Sequence, residues 1–279
     1  MFAKDYQHIP VLLKESIAFL NVKPKGTYVD CNLGSGGHAE KIKAKVIGID
    51  MDQEAINSAK ARLKNIACVH DNFRNIKKIV KEPVDGILFD LGLSSYQIDE
   101  ASRGFSLQND GPLDMRMDKT QKLTAAHIIN NLKQEEMEKI FKEFGEERFS
   151  HRIAKAIINK RPFYSTFELK EIVEKAIPTW KKRESVTRIF QSLRIAVNQE
   201  LASLEIALKD AITLLKPGGR LVVLSYHSLE DRIVKHTLRQ AKQAGRLNIL
   251  TKKPIMASEE EIASNPRARS AKLRAAEFK

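Results

Sequence analysis

Apolar positions along the first hundred residues alternate between two periods. Ile9, Leu12, Leu13, Ile17 and Leu20 fall at helical spacing, with Pro10 suited to a first turn. Gly26 interrupts, and residues 27–31 (Thr27, Tyr28, Val29, Asp30, Cys31) read as a short strand. Gly34, Ser35, Gly36, Gly37 and His38 predict a glycine-rich turn, followed by a helical stretch to about Lys43. Residues 46–50 read as a buried strand ending in Asp50, and 53–64 as a helix through Ile56, Ala59 and Leu63. Residues 67–70 form a weaker strand, and 84–90 another apolar run ending in Asp90. Strands alternating with helices imply βαβ units and a parallel sheet.

The alternation stops near residue 105. From Thr124 to Leu208 the period is almost wholly helical. A helix then ends in the Lys216, Pro217, Gly218, Gly219 turn, and residues 220–225 resume as a strand. The pattern predicts a doubly wound α/β domain, residues 1–109 and 206–279, interrupted by an inserted helical domain, residues 110–205, expected to bind substrate.

Charge adds direction to this plan. The chain has 279 residues and a formal net charge of +13, which points to a polyanionic partner. Residues 235–279 alone carry 11 basic and 4 acidic side chains, more than half the excess. Arg267, Arg269, Lys272 and Arg274 in this segment are candidates for phosphate contact. On the inserted helices, Lys181, Lys182, Arg183 and Arg188 flank Trp180, which suits either RNA stacking or a solvated face. No run approaches the roughly 18 apolar residues of a spanning helix. The start lacks the apolar stretch of a secretory signal, so a cytoplasmic setting without membrane attachment is expected. Two cysteines, Cys31 and Cys68, exclude a disulfide framework. The histidines show no metal-ligand spacing, and no metal is expected.

In open α/β sheets, ligands lie at the carboxyl ends of the strands. The glycine turn after the first strand and Asp50 after the second suit a ribose-bearing cofactor, dinucleotide or S-adenosylmethionine alike. Two details favour the methyl donor. The turn departs from G-x-G-x-x-G, and Asp90 is followed by Leu91, Gly92, Leu93, Ser94 and Ser95 at the strand end that meets the acceptor.

At these residues the chain resembles the bacterial small-subunit ribosomal RNA cytosine-N4 methyltransferases, the MraW family. The matching stretches are residues 8–13, 34–38, 90–95, 103–106, 111–117, 145–149, 225–232 and 265–270, spread in order over nearly the whole chain. The resemblance implies a Rossmann-like class I methyltransferase sheet. It implies an S-adenosylmethionine site built from Gly36, Gly37, His38, Asp50, Phe73, Asp90 and Gln97. It also implies methyl transfer to the exocyclic N4 of a cytidine in the decoding region, on small-subunit ribosomal RNA or the assembled small subunit. Asn32 stands where the family usually has Thr, and Tyr96 where Pro is usual; neither removes one of these residues. A homodimer is compatible with these features.

The chemistry narrows the catalytic candidates. Methyl transfer from a sulfonium is an in-line displacement in which positioning dominates. The cytosine amino group is a poor nucleophile, helped by an acceptor for its proton. Asp90 is placed for that role or for cofactor contact, with Ser94 and Ser95 as supporting groups. His227, after the fifth strand, faces the same rim with Tyr226, and Ser228 is expected to cap the following helix with Asp231. Neither cysteine follows the fourth strand, which disfavours the Cys chemistry of C5 methylation. Arg103, Arg116 and Arg194 suit either RNA contact or bracing of the inserted domain. Two rivals stay open on the residues alone: a nucleotide-dependent oxidoreductase, and a nucleic-acid-binding regulator with a vestigial pocket.

Overall fold

The computed structural model describes residues 10–64 and 66–279. In chain order, the first part contains α1 (Leu13–Leu20), β1 (Thr27–Asp30), β2 (Lys45–Asp50), α2 (Gln53–Arg62), β3 (Ile66–His70), α3 (Ile76–Ile79) and β4 (Val84–Asp90). The helices α4 (Ser95–Asp99), α5 (Ala125–Asn131), α6 (Gln134–Gly145), α7 (Ser150–Lys160), α8 (Thr166–Ala176) and α9 (Lys182–Asn198) follow. The chain closes with α10 (Glu200–Leu214), β5 (Leu215–Ser225), α11 (Ser228–Gln243), β6 (Leu247–Ile249), α12 (Glu259–Ser264) and β7 (Lys272–Phe278).

The described residues form two compact units, one of residues up to 92 together with 201–279 and one of residues 93–200. In the first, seven strands form one sheet in the order β3-β2-β1-β4-β5-β7-β6. The first five are mutually parallel, while β7 runs antiparallel to both β5 and β6. Successive residues of β4 and β5 feed opposite faces. Ile87, Phe89, Leu221 and Val223 pack with Leu208 and Ala211 of α10 and Val234 and Leu238 of α11. Leu88, Val222 and Leu224 pack with Leu20 of α1 and Ile56 and Ala59 of α2. Both faces are therefore covered, which is why these strands read as unbroken apolar runs. Strand order reverses direction between β1 and β4, so a crevice opens at their carboxyl ends.

The second unit is helical. α6 packs on α7 and α9, α7 on α8, and α8 on α9. The packing residues lie one helical turn apart, such as Met137 and Phe141, Ile153 and Ile157, and Leu169 and Val173, all fully buried. The unit begins at residue 93, earlier than the change of period suggests. Residues 93–109 hold no long periodic element, yet their bonds run into this unit. Arg103 O accepts from Met115 N at 3.0 Å, and Leu107 O accepts from Lys170 Nζ at 3.3 Å.

Three local expectations change. The helix expected after the glycine turn is a single 3-10 turn, Ala39–Lys41, because β2 starts at Lys45 and leaves no room for more. The first helix begins at Leu13, after Leu12 takes a positive φ of 49°, so Pro10 precedes it; Ile9 lies outside the described residues. The basic segment near the C-terminus is no solvated tail throughout, since residues 272–278 form a strand flanked on both sides. Among the described residues, no helix is long and apolar enough to cross a membrane.

Candidate active site

Three carboxylates mark the carboxyl ends of β1, β2 and β4. Asp30 is almost fully buried. Its Oδ1 accepts from Asn32 N at 3.2 Å. Burial pushes its carboxyl up to about 7, opposed by the nearby His38 and reinforced by Asp90 and Asp50. Asp50 ends β2, and its two oxygens accept from Gly34 N at 2.7 Å and Asp52 N at 2.9 Å. Burial pushes it up to about 6 against the pull of those two backbone bonds. Asp90 ends β4 with a side chain 19% exposed, against 5% for its neighbour His38.

Asp90 is clasped from two sides. The Tyr226 hydroxyl donates to its Oδ1 at 2.7 Å, and His38 Nδ1 lies 3.3 Å from its Oδ2. The other ring nitrogen of His38 is 3.2 Å from Val11 O. Both ring nitrogens thus face acceptors, an arrangement only the doubly protonated imidazolium satisfies at both ends. Burial opposes that charge, but the hydrogen bond and charge of Asp90, with Asp30 and the Val11 carbonyl, raise the His38 pKa overall. Tyr226 is held well above its ordinary value by burial first and by Asp90 second.

The glycine turn supplies the space between β1 and β2. Gly34 has φ +53° and open space where a Cβ would stand. Gly36 has φ +83°, and a Cβ there would meet Leu63 at 2.2 Å. Gly37 lies against Pro10. In the same turn, Asn32 Oδ1 is buried with no hydrogen-bond partner. An orphaned polar atom beside an open turn fits a polar ligand. Three carboxylates fit a cofactor that offers ribose hydroxyls, an ammonium and a sulfonium charge. Beyond β3, Asn72 caps a 3-10 turn that begins at Phe73, whose ring meets Phe89 edge-on at 5.7 Å.

Other expected site residues are engaged in local structure. Ser94 and Gln97 form the capping box of α4: Ser94 Oγ accepts from Gln97 N at 3.2 Å, and Gln97 Oε1 from Ser94 N at 3.0 Å. Ser95 opens that helix. His227, not Ser228, caps α11. Its Nδ1 accepts from Glu230 N at 3.4 Å, while Glu230 Oε2 accepts from His227 N at 3.3 Å. Glu230 is three residues on from His227, the spacing a capping box requires. Cys31 is buried, and burial pushes its thiol well up, so it is no thiolate nucleophile.

The arginines divide by burial. Arg103 is 2% exposed and donates to the carbonyls of Arg116 and Met117 at 3.0 and 2.9 Å. Arg116 binds both oxygens of Asp114 at 2.8 Å and reaches Lys119 O and Gln121 O. Arg194 holds Glu200 with two bonds of 2.9 Å. All three guanidiniums are bonded to groups of the helical unit itself, the arrangement that bracing requires. Arg274 is 8% exposed and bound to Asp231, so the expected phosphate contact there gives way to an internal ion pair. Lys272 lies 3.6 Å from the same Asp231, Arg267 is half-buried, and Arg269 is exposed. Two contacts carry no signal in the sequence: the bond from Tyr226 to Asp90, although Tyr226 is expected at that rim, and the amide of Asn198, which bonds Met115 O and Met117 N at 2.8 Å. Tyr226 and Asp90 are 136 positions apart, beyond any local pattern.

A doubly wound sheet with acidic strand ends around an open glycine turn defines a nucleoside-cofactor enzyme, and the carboxylate at the end of β4 fits a methyltransferase. The chain belongs to the MraW methylase family, which it matches over residues 5–279, and it is S-adenosylmethionine-dependent. It is 47% identical to the ribosomal RNA small subunit methyltransferase H of Carboxydothermus hydrogenoformans, covering 98% of each chain. It is 48% identical to the protein of that name from Halothermothrix orenii, covering 97% of this chain and 98% of that one. Among solved structures, an rRNA methylase from Streptococcus thermophilus is similar at 12% identity and a TM-score of 0.49, covering 97% and 98%.

Proposed function

We propose that this chain methylates small-subunit ribosomal RNA, and that its target is the exocyclic N4 of one cytidine in the decoding region. The observation that carries the reading is the near-full-length identity of 47–48% to relatives named for that RNA. The N4 position rests on the family resemblance and on the chemistry of Asp90. The homodimer and the cytoplasmic setting are proposals of the same kind.

Bound S-adenosylmethionine supplies an electrophilic methyl on a sulfonium, open to in-line attack. Asp50 holds the ribose hydroxyls with the lone pairs its two backbone bonds leave free. Asp30 meets the positive end of the donor with negative charge. Phe73, Gly36, Gly37 and Gln97 complete the cofactor site as the family pattern has it. Asp90 accepts a hydrogen bond from the cytosine amino group, localises its lone pair and takes the proton released on methylation. Ser94, Ser95 and His227 serve that end of the site in supporting roles. The helical unit and the basic residues of 265–272 bind RNA backbone; in this reading the exposed Arg269 contributes with the half-buried Arg267 and Lys272, and Arg274 does not.

The test is methyl incorporation from labelled donor into small subunits and into naked ribosomal RNA, followed by nucleoside analysis. N4-methylcytidine is the expected product. 5-Methylcytidine, or no incorporation into either substrate, would sink the reading.

A further inference from the structure

We infer that Tyr226 is a positioning residue for methyl transfer: its hydroxyl, opposite the His38 ring, fixes the plane of the Asp90 carboxylate so that one lone pair on each oxygen stays directed at the acceptor amine. The inference rests on the reading of Asp90 as the group that meets the acceptor.

Four observations carry it. The hydroxyl of Tyr226 donates to Asp90 Oδ1 at 2.7 Å, a distance typical of a strong bond to a charged acceptor. His38 engages the other oxygen, so the carboxylate cannot turn without losing a bond. The Tyr226 backbone is itself anchored, since its N–H donates at 2.8 Å to Glu230, which is 2% exposed. Its ring lies against Gly92, where a Cβ would stand 3.2 Å from the ring and φ is +105°. A side chain at Gly92 would push the ring away from Asp90. A phenylalanine would fill the same space, so packing alone does not call for the hydroxyl.

Each carboxylate oxygen offers two lone pairs. One is held by Tyr226 or His38, which leaves one on each for an amine proton. A carboxylate fixed before substrate arrives does not have to reorganise during the reaction. Tyr226 touches neither reacting atom in this scheme; it acts through Asp90.

The experiment compares Tyr226→Phe with the wild-type full chain. The expected result is a kcat lowered about tenfold to a hundredfold, the worth of one hydrogen bond to a charged group. Donor Kd and subunit KM should stay within about threefold. In an Asp90→Asn background, Tyr226→Phe should have no further effect on kcat. 3-Fluorotyrosine at position 226, which keeps the donor, should restore most of the rate. A kcat within about twofold of wild type, or a donor affinity that falls as far as kcat does, overturns the inference.

A readout independent of turnover separates this claim from the substrate reading. The His38 ring resonances in ¹H–¹⁵N spectra report the Asp90 oxygen they face, and Tyr226→Phe should shift them. Unmoved His38 resonances overturn the positioning role whatever the RNA assay gives. A wild type that methylates no ribosomal RNA yet shows the shift overturns only the substrate reading.

Discussion

Arg274 on β7 closes on Asp231 of α11 with its Nε 2.6 Å from Oδ1 and its second nitrogen 3.2 Å from Oδ2. The pair ties a strand inside the sheet to the helix that covers it. Both side chains are largely buried, at 10% and 14% exposure. Removing one partner leaves the other charge stranded, so Asp231→Ala and Arg274→Ala should each cost about 3 kcal/mol, with the double variant well short of their sum. Burial by itself would raise the Asp231 carboxyl; the bonds and charge of Arg274, with Lys272, outweigh it and hold the group below its ordinary 3.8. A lowered folded value means that the contribution is complete above the unfolded value and fades as pH falls through the folded one. Urea unfolding of wild type and Asp231→Ala at neutral pH and near pH 2 checks both statements, and an undiminished gap at low pH would refute the pH dependence.

Arg269 should behave in the opposite way to Arg274. It is exposed on the 3-10 segment Pro266–Ser270. Arg269→Gln should leave the unfolding midpoint unchanged, weaken RNA binding and flatten the salt dependence of affinity by about 0.7 to 0.9 for each phosphate no longer neutralised. Filter binding over a salt series reads the slope. An unchanged slope would remove Arg269 from the RNA surface.

Donor binding should release protons. Asp30 and Asp50 are pushed up to about 7 and about 6 by burial. In the free protein this makes stability fall as pH rises from about 4 to about 7, because the folded state keeps protons that the unfolded chain has lost. A cationic donor stabilises the ionised carboxylates and expels those protons. Calorimetric titration near pH 6.5 in phosphate and in Tris should give different apparent enthalpies, and affinity should rise between about pH 5 and 7. Equal enthalpies in the two buffers would count against the carboxylates as donor ligands.

Two glycines of the turn should separate stability from binding. At Gly34 a methyl group enters open space, so Gly34→Ala should cost only the strain of a positive φ, about 1 kcal/mol, while the methyl obstructs the donor and weakens its binding about tenfold. At Gly36 the methyl meets Leu63, so Gly36→Ala should destabilise the fold by about 2 kcal/mol or more. Thermal unfolding paired with donor titration distinguishes the two. Equal effects on both quantities would show that the turn is only structural.

Arg103 should behave as a brace. Its guanidinium satisfies the part-buried carbonyl of residue 116 and the buried one of residue 117. Arg103→Ala should destabilise the helical unit by about 3 kcal/mol, and Arg103→Lys should not restore it, since an ammonium lacks the planar fork. Limited proteolysis of the 107–124 segment provides the measurement; unaltered cleavage rates would rule the brace out.

How much of the fold and site is legible in the sequence differs from element to element. The runs at 46–50 and 84–90 are readable because both faces of those strands are buried, and their terminal Asp residues stand where an α/β sheet binds ligands. The helical unit is readable from its 3.6-residue period, although its start at residue 93 is not, since residues 93–109 carry no period. The cap of α11 falls one residue before the expected one because His227 takes the part usually given to Ser. By itself the sequence determined most strand and helix types, the acidic strand ends and the glycine turn, while the choice of S-adenosylmethionine over a dinucleotide came with the family resemblance. Those elements depend on short-range periodicity and on residue chemistry. Only the tertiary structure decided that Tyr226 reaches Asp90 across 136 positions, that Arg274 faces Asp231 instead of solvent, and that Arg103 lies buried. The first two follow from strand order: β5 is seated beside β4, and β7 between β5 and β6. A linear pattern of polar and apolar residues does not encode which strands become neighbours.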